Sequence, residues 1–226
     1  MQNLENVSFG AFWPVKCNPK KTAEIGHINK AVEKNYDYFI SYQKHPEINC
    51  PHILLNQDQL PSLQYTKNLK HYCHLNNKTV LKFGKHINSH SFFELSSIWF
   101  SKILFFETIK KLGNFKNIIW RDCVFNFLPG FRFRYPHILN HSSEKAVFNF
   151  HEKFPKNPFQ GLCKFDFSAH PNKLSGAVIR IPTKILDEFI DRYIECLIYA
   201  DNNFVIYDEE VVLTYMYYKH AYLFEP

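Results

Sequence analysis

Two groups of acidic residues carry the first chemical signal in this chain. Asp122 closes the run NIIWRD, whose residues 117–120 suit a buried strand. A carboxylate at the carboxyl end of a buried strand stands where open α/β sheets place ligand groups. The same acid can instead pair with its neighbour Arg121 or cap the next turn. Asp208, Glu209 and Glu210 follow the apolar run FVIY and open the last helix. A helix dipole favours acids there, and Asp208 is a good cap. Alternatively, one of the three faces the same crevice as Asp122 and serves as base, nucleophile or metal ligand.

The cationic candidates are Lys102, Arg132 and Arg134. Lys102 is a lone charge among Trp99, Phe100, Ile103 and Leu104. Arg132 and Arg134 alternate with Phe131, Phe133 and Tyr135, so on a strand they share one face. They can hold phosphates, stack on bases, or form a solvated strand face. His71, Cys73 and His74 are metal-capable but have no second ligand pair at a zinc-finger spacing. Walker A, G-x-G-x-x-G, G-x-S-x-G and H-E-x-x-H motifs are all missing. That removes the simple forms of P-loop kinase, nicotinamide dehydrogenase, α/β-hydrolase and zinc protease.

The elements that must position these groups alternate. Residues 7–13 read as a first strand ended by Pro14, 16–21 as a loop, 22–35 as a modest helix and 36–43 as a second strand. HILL, at 52–55, is a third strand. A long helix then runs from Ser91, with Ser91 and Glu94 forming a capping box and Gly113 ending it. Apolar side chains nearly encircle it, which predicts packing on both sides. Residues 140–173, with three prolines, read as an irregular surface excursion of the kind that orders over a ligand. LSGAVIRIP is a strand with Ser175 and Gly176 at its start. Thr183 caps an amphipathic helix whose apolar stripe runs from Ile185 to Ile198. FVIY, at 204–207, is a last strand before the closing helix. The alternation predicts one α/β domain with a mostly parallel sheet over residues 1–226. Residues 1–90 and 91–226 are its two halves, for which the resemblance set out below implies nucleotide binding in the first and acceptor and metal binding in the second.

Twenty-seven basic against 21 acidic residues give a formal charge of +6, which favours anionic partners without choosing among nucleic acid, membrane surface and phosphorylated small molecules. The six cysteines lie far apart with no C-x-x-C pair, as expected of free thiols in a reducing compartment. The N-terminal residues show no signal-peptide pattern, and charges break the longest apolar region. The expected location is cytoplasmic, with peripheral contact at an anionic membrane.

Three stretches in order carry a resemblance to a known family. They are ELSSIWFSK leading into IIWRD, LSGAVIRIPTKILDEFIDRYI, and YDEEVVLTYMY. Together they resemble the WlaTC/HtrL/YibB-like bacterial glycosyltransferases and, more loosely, the A-type nucleotide-sugar transferases, over roughly residues 92–224. The resemblance implies a Rossmann-like A-type domain that moves a sugar from a nucleotide-sugar donor to a glycan or lipid-linked acceptor, as in polysaccharide biosynthesis. It implies that Asp122 binds a divalent metal, Mn2+ or Mg2+, on the donor diphosphate, although Cys123 and Val124 depart from a full D-x-D. It implies that one of Asp208, Glu209 and Glu210 is the catalytic acid or base. Lys102, Trp120, Arg121, Arg132, Arg134, Ser175 and Gly176 are then the substrate-binding candidates, with Lys102 or the arginines neutralising the diphosphate. Two alternatives stand beside this reading: a nucleic-acid-binding protein, motivated by the charge and FRFRY, and a noncatalytic α/β interaction module, motivated by the incomplete D-x-D.

Overall fold

Short runs of β-branched and aromatic residues build the sheet, and long apolar stretches build the helices that cover it. The computed structural model describes residues 5–18, 21–25, 36–46, 48–75, 80–82, 85–87, 89–122, 143–150, 174–203 and 209–225. The strands are β1 (Asn6–Phe12), β2 (Val15–Asn18), β3 (Lys21–Ile25), β4 (Tyr38–Ser41), β5 (His52–Leu54), β6 (Val80–Lys82), β7 (Lys85–Ile87), β8 (Asn117–Arg121), β9 (Val147–Phe150) and β10 (Leu174–Pro182). The helices are α1 (Leu69–Leu75), α2 (Ser89–Lys110), α3 (Leu186–Asn202) and α4 (Glu209–Lys219).

The protein is α/β. Among the described residues, six strands form one open sheet in the order β5-β4-β1-β8-β10-β9, of which β10 runs against the others. The chain adds β4 and β5 on one side of β1 and then returns to place β8 on the other. The strand order therefore reverses between β1 and β8, and open α/β sheets bind ligands outside the carboxyl ends of the strands at such a point. Asp122 lies there, one residue past β8.

Alternation along β1 and β8 sends Val7, Phe9, Ile118 and Trp120 to the face covered by α2, α3 and α4. Phe9 meets Phe106 and Trp120 edge-on at 5.0 and 5.3 Å. As its all-round apolar sequence predicts, α2 is packed on both sides, by β2 and β8 on one and by α1, α3 and the turn at Pro61–Gln64 on the other. Small serines allow the close approach of that turn. The Ser62 hydroxyl donates to the Ser97 carbonyl at 2.7 Å and lies 2.9 Å from the Ser101 hydroxyl. Tyr193 of α3 donates to the Phe100 carbonyl at 3.1 Å.

Several expectations need correction. Residues 15–18 and 21–25 are the two strands of a hairpin, not a loop and the start of a helix. Pairing of Val15 with Ile25 outweighs the weak local helix preference of Lys-Thr-Ala-Glu. The predicted excursion at 140–173 contains an edge strand of the main sheet, β9, with Ala146, Val147 and Phe148 buried. Ser91 does not cap α2, which already begins at Ser89; it is buried inside the first turns. Nor does Thr183 cap α3. Its hydroxyl donates to the Phe115 carbonyl at 2.6 Å, and a 3₁₀ turn at Thr183–Ile185 leads into the helix. The predicted strands at 131–135 and 204–207 lie outside the described residues.

At the switch point, Gly10 of β1 lies under the ring of Tyr36, whose hydroxyl donates to the Arg121 carbonyl at 3.1 Å. A Cβ at Gly10 would stand 2.6 Å from that ring. Gly10→Ala is expected to cost about 1–3 kcal/mol by overpacking. Urea unfolding is the check, and Gly10→Ala should cost less in a Tyr36→Leu background.

Cys50, Cys73 and Cys196 are free thiols. Burial pushes Cys73 and Cys196 up to about 12 each. At pH 8 each should hold about a thousandfold less thiolate than an ordinary cysteine. Alkylation followed by peptide mapping should find both unmodified in the native protein and both modified in urea.

Candidate functional site

The site begins with one buried charge. An apolar helix carries Lys102 into the core with the residue only 5% exposed, and an ammonium there needs partners. It has two. The Lys102 Nζ donates to Glu209 Oε1 at 2.5 Å and to Asp122 Oδ2 at 3.3 Å. It also lies 5.5 Å from the centre of the Trp120 ring. Burial alone would lower the lysine's pKa, but Glu209 and then Asp122 more than offset that and hold it above the ordinary lysine value.

Each partner is placed by a different element. Asp122 stands at the end of β8, and its backbone N–H continues the ladder to the Ala177 carbonyl at 2.8 Å. Its side chain is partly exposed. Glu209 opens α4, where the dipole favours an acid, and is 2% exposed. Glu210, the next residue, is half-buried and accepts the Gly176 N–H at 2.8 Å.

A distortion of β10 makes that last bond possible. The β9 pairing jumps from Ser175 to Ile179 on β10 while moving only from Asn149 to Phe148 on β9. Gly176 therefore falls in an irregular stretch and its N–H turns to Glu210. Its lack of a side chain has a second use. A Cβ at Gly176 would lie within bonding-clash distance of Glu209 Oε1, the atom that holds Lys102. No left-handed backbone is involved; the glycine is needed for close approach alone.

Four separated stretches of sequence thus meet. Lys102, Asp122, Gly176 and Glu209 form one packed unit, with Glu210 bonded to it through Gly176. Trp120 is buried beneath, against Phe9, and its indole N–H has no hydrogen-bond acceptor among the described residues. Ser175 is buried, with its hydroxyl accepting the Ala177 N–H at 3.3 Å. Arg121 contributes its carbonyl to Tyr36. Arg132, Arg134 and Asp208 lie outside the described residues. The position of Tyr36 over the switch point had no sequence signal beyond its being aromatic.

The described residues do not fit a divalent metal held by Asp122 as the resemblance implies. The place between Asp122 and Glu209 that a cation would take is filled by the Lys102 ammonium. No three His, Cys, Asp or Glu side chains among the described residues come together to hold a metal ion. Among those residues, too, no helix is long and apolar enough to cross a membrane.

What this arrangement can do follows from exposure. Glu209 and Lys102 are buried and bonded to each other, so they set geometry. Asp122 and Glu210 keep some exposure at the edge where open α/β sheets generally place ligands, and a carboxylate there can accept a proton or a hydroxyl hydrogen bond. Searched against known proteins, the chain matches no family model, no curated protein and no solved structure.

Proposed function

We propose that the protein is a glycosyltransferase of A-type fold that transfers a sugar from a nucleotide-sugar donor to a glycan or lipid-linked acceptor. One observation carries this reading. The stretches on which the resemblance rests, around Lys102, Trp120–Asp122, Ser175–Gly176 and Glu209–Glu210, converge within hydrogen-bond distance although Lys102 and Glu209 are 107 positions apart. They do so at the switch point of a mostly parallel sheet, the general position for a ligand in such folds.

In the proposed reaction an acceptor hydroxyl oxygen bonds to the anomeric carbon of the donor sugar. The bond from that carbon to the diphosphate oxygen breaks, and the nucleoside diphosphate leaves with the electron pair. The hydroxyl proton passes to a carboxylate. Asp122 and Glu210 are the partly exposed acids for that role or for holding sugar hydroxyls. Glu209 is withdrawn from it by its bond to Lys102. Because two carboxylates already match the lysine's charge, Arg132 and Arg134 are the better candidates for meeting the donor phosphates.

The test is release of nucleoside diphosphate from a panel of nucleotide sugars. Wild type should turn over one donor class, and Asp122→Ala should lower that rate about 100-fold or more. Wild-type silence on every donor, or an Asp122→Ala rate equal to wild type, would overturn the proposal.

A further inference from the structure

We infer that Lys102 is a built-in cation: its ammonium occupies the position between Asp122 and Glu209 that a divalent ion would otherwise hold, so the site needs no metal there. In its consequence for turnover this rests on the transferase reading. As a statement about the cluster it stands on geometry alone.

Two carboxylate oxygens from different elements, the end of β8 and the first turn of α4, lie within 3.3 Å of one nitrogen. Such a pair is a common half of a Mg2+ or Mn2+ site, which takes one or two carboxylates at about 2.0–2.1 Å and completes its shell with water. Here the shell is completed by protein. Lys102 enters from α2, the Trp120 ring lies beside the ammonium, and Gly176 closes the approach behind Glu209 so that its carboxylate stays on the nitrogen. A hydrated ion and the lysine cannot share that space. The ammonium holds the two carboxylates together as a metal would, at fixed charge and without a dissociable ligand. It differs from a metal in one respect: its three hydrogens are donors, and two are used on Asp122 and Glu209.

Removing the lysine should therefore create what the wild type lacks. Lys102→Ala takes the ammonium away from the two carboxylates. Tm is to be measured in EDTA, in Mg2+ and in Mn2+. For Lys102→Ala, an ion at ten times its Kd should raise Tm by about 3–6 °C. Lys102→Met, which fills the space without charge, should show no such rise, and adding Asp122→Asn to Lys102→Ala should abolish it. Wild type should keep the same Tm in all three conditions, and any nucleotide it binds should have the same Kd in EDTA and in Mn2+ within about twofold. A wild-type rise in Mn2+ that Asp122→Asn removes would overturn the inference, as would a folded Lys102→Ala with no metal response. Should Lys102→Ala fold in none of the three conditions, the wild-type Tm alone decides. Should no nucleotide bind in any of them, the transferase reading fails while the Tm series still decides the cation claim.

Discussion

Lys102→Met is expected to destabilise the protein by about 3–5 kcal/mol, because it leaves buried negative charge uncompensated. In a chain of this size that lowers Tm by about 10 °C or more. The lysine and Glu209 have side chains only 7% and 3% exposed, so water cannot take over the lost contact. The effect should lie in the broken pair and not in packing, since methionine fills similar volume. The double variant Lys102→Met with Glu209→Gln should therefore recover much of the loss while remaining inactive. The linkage has a definite sign. The folded-state pKa of Lys102 is raised, so its stabilisation is fully present below the unfolded value of about 10.4. It is lost only as pH rises beyond that, through the folded value. Between pH 6 and 9 this residue should add no slope to wild-type stability, as urea titrations across that range would show. A Lys102→Met variant with wild-type stability would mean that the ion pairs do not hold the site together.

The second large effect is expected at Gly176. Gly176→Ala puts a methyl group into Glu209 Oε1. Glu209 is fixed at the start of α4, and its side chain can escape only by leaving Lys102. The expected cost is about 1–3 kcal/mol of overpacking plus part of the ion-pair loss. Turnover should fall at least as far as in Asp122→Ala, because the lysine would then bear on Asp122 alone. Shortening the partner separates the two causes: Gly176→Ala with Glu209→Ala should fold better than Gly176→Ala alone and still be inactive. Ordinary stability and activity in Gly176→Ala would show that the close approach at this position can be relaxed without consequence.

Much of the frame was legible because it follows local periodicity. The long apolar run gave α2, the β-branched run gave β10, and the 3.6-residue stripe gave α3. Lys102 stood out as a cation set among apolar neighbours in the middle of α2, which is itself a sign of a buried partner. Which partner was not legible, since the strand order and the β10 irregularity decide that Glu209 meets it. Gly176 was read only as a substrate-binding candidate; its neighbour in the fold is the Glu209 carboxylate. Helix α1 was missed for a similar reason. The amide of Asn68, just ahead of it, is satisfied by Asp201 at the end of α3, 133 residues away, so no local cap announces the helix. The β2–β3 hairpin was misread because its strands are short and their pairing is decided by contact, not by propensity.

A nucleotide-sugar site at the switch point between β1 and β8 should reveal itself as ligand-dependent stability. Thermal unfolding should be followed against nucleoside diphosphates and nucleotide sugars in EDTA and in Mn2+. One base should stabilise the protein in both media, by about 2.7 kcal/mol at 100 times its Kd, with a nucleotide sugar of the same base acting alike. No shift with any nucleotide in either medium would contradict the transferase account. Steeply salt-dependent binding to DNA or RNA would then favour a nucleic-acid-binding role.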